Sequence, residues 1–98
     1  MTITKQQNGT ALEIALEGRL DTTTAPELEA ELSASLPAAD SLTFDFAKLE
    51  YISSAGLRVL LSAHKALRAK GGLKVKNLNE IVREVFDVTG FADILTIE

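Results

Sequence analysis

The sequence predicts a two-layer α/β domain: a mixed sheet opened by a β-hairpin, with helices packed on one face, in the order ββαβαβαβ. Three observations predict it. Apolar residues recur with period two in some segments and with period 3.6 in others, alternately along the chain. The strands alternate apolar with polar residues, whereas a parallel sheet covered on both faces would show continuous apolar runs. Strands joined by helices cross over right-handedly, so strands added in one direction place all three helices on the same face.

The elements follow in order. Ile3–Gln7 and Thr10–Glu17 flank Asn8-Gly9, a strong hairpin turn signal. In the second strand Leu12, Ile14 and Leu16 alternate with Glu13 and Glu17, and Gly18 is expected to break the run. Thr22, Thr23 and Thr24 offer helix N-caps, and Pro26 suits a first helical turn. Leu28, Leu32 and Leu36 follow at helical spacing until Pro37 ends the helix. Ser41–Phe46 reads as the third strand, followed by a loop over 47–52. A second helix carries Leu57, Leu60, Leu61, His64 and Leu67 on one stripe. Arg68 and Lys70 put positive charge at its C-terminal end, and Gly71-Gly72 closes it. Leu73–Lys76 is a short strand. A third helix starts from Asn79 as cap, turns Ile81, Val82, Val85 and Phe86 inward, and ends before Gly90. Ile94–Ile97 is the last strand.

At 98 residues the chain predicts a single domain over 1–98, large enough for one core. It has no cysteine, which removes disulfides, thiolate nucleophiles and cysteine metal sites. No apolar run is long enough to cross a bilayer, and the start lacks the apolar core of a signal peptide. These features predict a cytoplasmic protein with no membrane association. A net charge of −4 argues against nucleic acid as a direct partner.

The search for chemistry returns few candidates. No glycine-rich nucleotide cradle is present. His64 is the only histidine, sits on an apolar stripe as a packed or rim residue, and lies nearly three turns from Ser54. Asp21 and Asp45 lack the third group that a phospho-aspartate pocket would need. The sequence therefore predicts no enzyme, no cofactor and no metal. A small enzyme or phosphocarrier on a flavodoxin-like sheet is the weak rival. What remains is "EYISSAGL", Glu50 to Leu57, with two adjacent hydroxyls where strand turns into helix. Helix N-termini present unpaired N–H groups and the positive end of the macrodipole. Ser53 or Ser54 serves there as a plain N-cap, or holds an anion.

Gly18-Arg19-Leu20-Asp21, then Tyr51-Ile52-Ser53-Ser54-Ala55-Gly56-Leu57, Lys70-Gly71-Gly72 and the segment Val82 to Phe91 together resemble the STAS family. More narrowly, the chain resembles stand-alone bacterial anti-sigma factor antagonists over nearly its whole length. The resemblance implies partner switching. The unphosphorylated protein binds an anti-sigma factor that is also a serine kinase, phosphorylation of a serine at the start of the second helix ends the binding, and a serine phosphatase restores it. The family motif usually reads Asp-Ser-Ser/Thr-Gly. Anchored on Gly56-Leu57, it places Ser54 at the acceptor position, with Ser53 as runner-up, and Ala55 at the following hydroxyl. Ser53 stands where the motif has aspartate, a departure from the pattern. Asp21 matches an acidic residue at the end of the second strand, and it also suits capping of the first helix. Asp21, Tyr51, Ser53, Ala55, Gly56 and Arg58 are the expected partner-binding residues. The free chain is expected to be monomeric. The alternative is an unmodified STAS scaffold or ligand-sensing module in a larger signalling complex.

Overall fold

The computed structural model describes residues Met1–Glu98. Strands β1 (Thr2–Asn8) and β2 (Ala11–Leu20) form an antiparallel hairpin, followed by helix α1 (Ala25–Ser35) and a 3-10 turn at Leu36–Ala38. Then come β3 (Ser41–Ile52), α2 (Ser54–Leu67), β4 (Gly72–Lys76), α3 (Glu80–Thr89), a second 3-10 turn at Phe91–Asp93 and β5 (Thr96–Ile97). The sheet order is β1-β2-β3-β4-β5, with every pair after the hairpin parallel. This is the expected ββαβαβαβ order.

One apolar core lies between the sheet and the helices. Leu12, Ile14 and Leu16 of β2, Leu42, Phe44 and Phe46 of β3, and Leu73 and Val75 of β4 are buried in it. Leu28 and Leu32 of α1, Leu57, Leu60 and Leu67 of α2, and Val82 and Phe86 of α3 meet them from the helical side. Phe86 packs edge-on against Phe46 with ring centroids 6.5 Å apart. The opposite sheet face stays polar: Glu13 pairs with Lys76 across it at 2.7 Å, and Asn77 donates to Asp45 at 2.9 Å. That alternation is what a sheet covered on one side requires.

The structure corrects several boundaries. The hairpin turn is Gly9-Thr10, because Asn8 still pairs with Ala11. Gly9 has φ of +63°, at the turn position where glycine is free of steric cost. Gly18 does not end β2, which runs on to Leu20 with Gly18 at φ +104°. The expected loop over 47–52 is instead the second half of β3. Two register shifts explain the misreading. Between Ala15 and Glu17, and between Gly18 and Arg19, β3 spends one residue more than β2. Each extra residue re-phases the strand, so Leu49 and Ile52 are buried although they follow Phe46 at intervals of three.

In α2 the buried stripe is Leu57, Val59, Leu60, Ala63 and Leu67; Leu61 and His64 lie half-buried at its edge. In α3, Ile81 does not face inward but is 56% exposed. It sits one residue before buried Val82, about 100° around the helix. The final strand is only Thr96–Ile97, and Ile94 is exposed before it. No helix is long and apolar enough to cross a membrane.

Candidate functional site

The end of β2, the end of β3 and the start of α2 converge at one corner. Parallel pairing sets Arg19 beside Tyr51 and Leu20 beside Ile52, and the Ser53 N–H donates to the Leu20 carbonyl at 2.9 Å. Leu20 and Ile52 are fully buried and form the floor under the first turn of α2. Gly56 rests on that floor. A Cβ at Gly56 would lie 2.6 Å from Leu20 Cγ and 2.9 Å from Ile52 Cγ1, so a side chain there would lift the helix. Gly56 is buried, and its geometry shows close packing against this floor.

The two serines occupy different positions. Ser53 is the N-cap residue, extended at φ −100° and ψ 175°, but its side chain makes no capping bond. Its Oγ is buried without a hydrogen-bond partner in the chain. Ser54 is the first helical residue and is exposed. The first bond of the helix runs from the Leu57 N–H to the Ser53 carbonyl at 3.0 Å. The N–H groups of Ser54, Ala55 and Gly56 find no acceptor in the chain. The positive end of a 14-residue helix is therefore open beside an exposed hydroxyl.

Asp21 sits across from this opening at the entrance to α1. Its Oδ1 accepts from the Thr23 hydroxyl at 2.7 Å, the Thr23 N–H at 3.0 Å and the Thr24 N–H at 3.2 Å. The Thr23 hydroxyl bond holds the carboxyl below its ordinary value, against an opposing desolvation and with help from the backbone N–H groups. The Asp21 side chain thus closes the turn ahead of α1 and does not cap the helix itself, whose N-cap is Thr24. The threonines cap less than expected: Thr24 is the N-cap by position, yet its hydroxyl donates to the Arg19 carbonyl instead. Asp21 Oδ2 stands 3.9 Å from Arg19 Nε, the outer limit of an ion pair.

Tyr51 is half-buried, with the Arg19 guanidinium 4.7 Å from its ring centroid. Ala55 is half-buried against the core, and Arg58 is exposed one turn beyond Ser54. Arg58 and Ala55 line a surface hollow of about 370 Å³ between α1 and α2, together with Thr22, Pro26 and Glu29. The structure thus brings Asp21, Tyr51, Ser53, Ser54, Ala55 and Arg58 to one end of the molecule. Sequence reasoning missed Arg19 as a member of this group. Its signal was the pairing with Tyr51, which disappears if β2 is stopped at Gly18. No cluster of His, Cys, Asp and Glu capable of holding a metal is found.

Comparison with known proteins gives a consistent picture. Residues 3–96 match the family model described as "Mlab, STAS domain". The chain is 38% identical over 99% of its length to BtrV of Bordetella bronchiseptica, named as an anti-sigma factor antagonist, and covers 85% of that protein. It is 31% identical over 94% of its length to the anti-sigma-B factor antagonist of Bacillus subtilis, again covering 85% of the relative. Among solved structures, the anti-sigma factor antagonist SpoIIAA in its unphosphorylated form superimposes with a TM-score of 0.85 at 22% identity, over 99% of this chain and 88% of that one. The phosphorylated form of the Bacillus SpoIIAA gives 0.76 at 21% identity, over 99% and 91%. At those identities the structural likeness speaks for the fold.

Proposed function

The chain belongs to the STAS domain family, and on that premise we propose that it is an anti-sigma factor antagonist working by partner switching. Unphosphorylated, it binds an anti-sigma factor that is also a serine kinase, and so frees the sigma factor. The kinase transfers the γ-phosphoryl group of ATP to Ser54 Oγ, with loss of the hydroxyl proton and release of ADP. The complex then separates. A serine phosphatase hydrolyses the ester back to serine and inorganic phosphate. The chain binds and is modified; it is not itself an enzyme. The names of relatives at 38% and 31% identity support this reading.

The single observation that carries it to a residue is the contrast at the mouth of α2. Ser54 is exposed on an open helix N-terminus, whereas Ser53 Oγ is enclosed. A kinase can reach the first hydroxyl without disturbing the fold.

The consequence of modification follows from charge. A phosphate adds about −1.5 to −2 charges at neutral pH. At the positive end of a helix that charge is stabilised by roughly 0.3 to 1 kcal/mol, and the free N–H groups of Ala55 and Gly56 stand ready as donors. The helix therefore has no reason to move, and the two forms of the protein should share one backbone. The cost falls on the complex, where the new anion meets acidic groups and nucleotide phosphates of the kinase. Like-charge juxtaposition across an interface costs several kcal/mol. Asp21, Tyr51, Ser53, Ala55 and Arg58 surround the acceptor as the docking rim, with Gly56 keeping the helix seated beneath it.

The test is incubation with the anti-sigma factor kinase of the same organism and ATP, followed by mapping of the modified peptide across Tyr51 to Arg58. Phosphate on Ser54 and dissociation of the complex are expected. Phosphate on Ser53, or a stable complex after stoichiometric modification, would refute the assignment.

A further inference from the structure

Arg19 stacks on Tyr51 of the docking rim but has itself no part in the switch as described. They are paired neighbours at the ends of β2 and β3. Leu20 and Ile52, the next pair, point into the core, so by strand alternation Arg19 and Tyr51 point to the uncovered side of the sheet. The guanidinium lies over the ring at 4.7 Å, a cation–π stack that fixes a long side chain otherwise free to wander. The Arg19 side chain is nonetheless 59% exposed. The one acid within 4 Å of it is Asp21, whose Oδ1 is committed to Thr23 and Thr24 and whose Oδ2 stays 3.9 Å away. The planar fork of donors is therefore held in place and left largely unspent, stacked on a ring that lies three residues in sequence before Ser54.

From this geometry, and resting on the switch reading above, we infer that Arg19 is the specificity-determining residue through which this corner takes a carboxylate of its partner, with Tyr51 as the platform that positions it. A guanidinium held flat presents two parallel N–H donors to a carboxylate, which an ammonium cannot do. Immobilising it before binding removes part of the ordering cost of association. Tyrosine and arginine are also the residue types that binding hot spots favour. The arrangement gives the switch its attractive half: the partner acid that Arg19 holds is of the sign that phosphoserine 54 repels.

Binding of the unphosphorylated chain to its anti-sigma factor kinase, measured for wild type, Arg19→Ala, Arg19→Lys, Tyr51→Leu and Arg19→Ala/Tyr51→Leu at two salt concentrations, tests this. Arg19→Ala should weaken affinity by about ten- to a hundredfold, and Arg19→Lys should recover little of it. Tyr51→Leu should cost about tenfold, and the double variant should be no weaker than the product of one loss with a small remainder. An Arg19→Ala affinity within twofold of wild type, full rescue by lysine, or losses that simply multiply would overturn the inference. Proton NMR of the free chain supplies a readout without the partner. The Arg19 side-chain protons should be shifted upfield by the Tyr51 ring and should return to ordinary positions in Tyr51→Leu; no shift in the wild type overturns the platform. A wild-type chain that binds no such kinase overturns the switch reading, while the NMR result still decides whether the platform exists.

Discussion

Helices α2 and α3 both start beyond the C-terminal end of a parallel strand, yet their first turns are completed differently. At α3 the cap Asn79 accepts from the Val82 N–H at 2.8 Å, and its own amide donates to the Leu49 carbonyl at 2.8 Å. One side chain satisfies a first-turn N–H and ties the helix to the neighbouring strand, leaving only the Glu80 and Ile81 N–H groups without an acceptor in the chain. At α2 the equivalent residue, Ser53, makes no side-chain bond, and the N–H groups of Ser54, Ala55 and Gly56 have no acceptor in the chain. A serine can cap a helix as well as asparagine does, so residue type does not explain the difference. The α3 terminus is built for stability. The α2 terminus leaves available stabilisation unused, which is where an incoming phosphate or a partner can supply it.

Four experiments break or sharpen this contrast, and the largest effect should come from charge. Ser54→Asp puts an anion at the open terminus. Affinity for the kinase should fall at least a hundredfold, about 3 kcal/mol, while the urea midpoint moves little. Titration calorimetry beside a denaturation curve checks both, and an unimpaired complex would show that charge at this position does not control docking. Next is the floor beneath the open helix. Gly56→Ala drives a methyl into Leu20 and Ile52, and overpacking of this kind costs about 1–3 kcal/mol. Urea unfolding should report that loss, along with weakened partner binding as α2 lifts.

Smaller effects come from exchanging the two designs. Asn79→Ala opens α3 and should cost about 1 kcal/mol, with faster amide exchange at Val82. Ser53→Asp closes α2 and should stabilise it by about 0.5–1 kcal/mol, at the expense of phosphorylation rate at Ser54. A neutral Ser53→Asp would mean that the open terminus gains nothing from a carboxylate cap.

The mildest lever is pH. Three carboxyls are held below their ordinary values: Asp21 chiefly by the Thr23 hydroxyl, Glu31 by its bond to Lys5, and Asp45 by Asn77. Each contributes stability that is complete above the unfolded value of about 4 and is lost as pH falls through the lower folded value. Lys76 is held above its ordinary 10.5 by Glu13, so its contribution is present below that value and disappears as pH rises through the folded one. Urea midpoints should therefore be level from about pH 5 to 10 and decline on both sides. The acid decline should be smaller in Asp21→Asn, which cannot ionise.

Much of this was legible in the sequence because it depends on local periodicity and on single capping residues. The alternation in Leu12-Ile14-Leu16 and Leu42-Phe44-Phe46, the cap at Asn79 and the left-handed C-cap at Gly90 are all local signals, and all four stand where expected. The failures are non-local. Leu49 and Ile52 break the period of two because of bulges that exist only against β2, so half of β3 passed for a loop. Ile81 was placed inward on hydrophobicity alone, although the inward arc of α3 is narrow. At the site, the pair of serines was visible, but which hydroxyl is enclosed depends on how the Leu20–Ile52 floor seats the helix. Arg19 was hidden for the same reason as the second half of β3.

The sheet's neighbour order, identical to the order of the chain, bears on how the protein is made. Each strand emerging from the ribosome meets an edge that is already in place, and no early strand waits unpaired for a late one. At about 5–20 residues per second these residues are synthesised in roughly 5 to 20 s, and both strands of the hairpin are made before the helix that covers them.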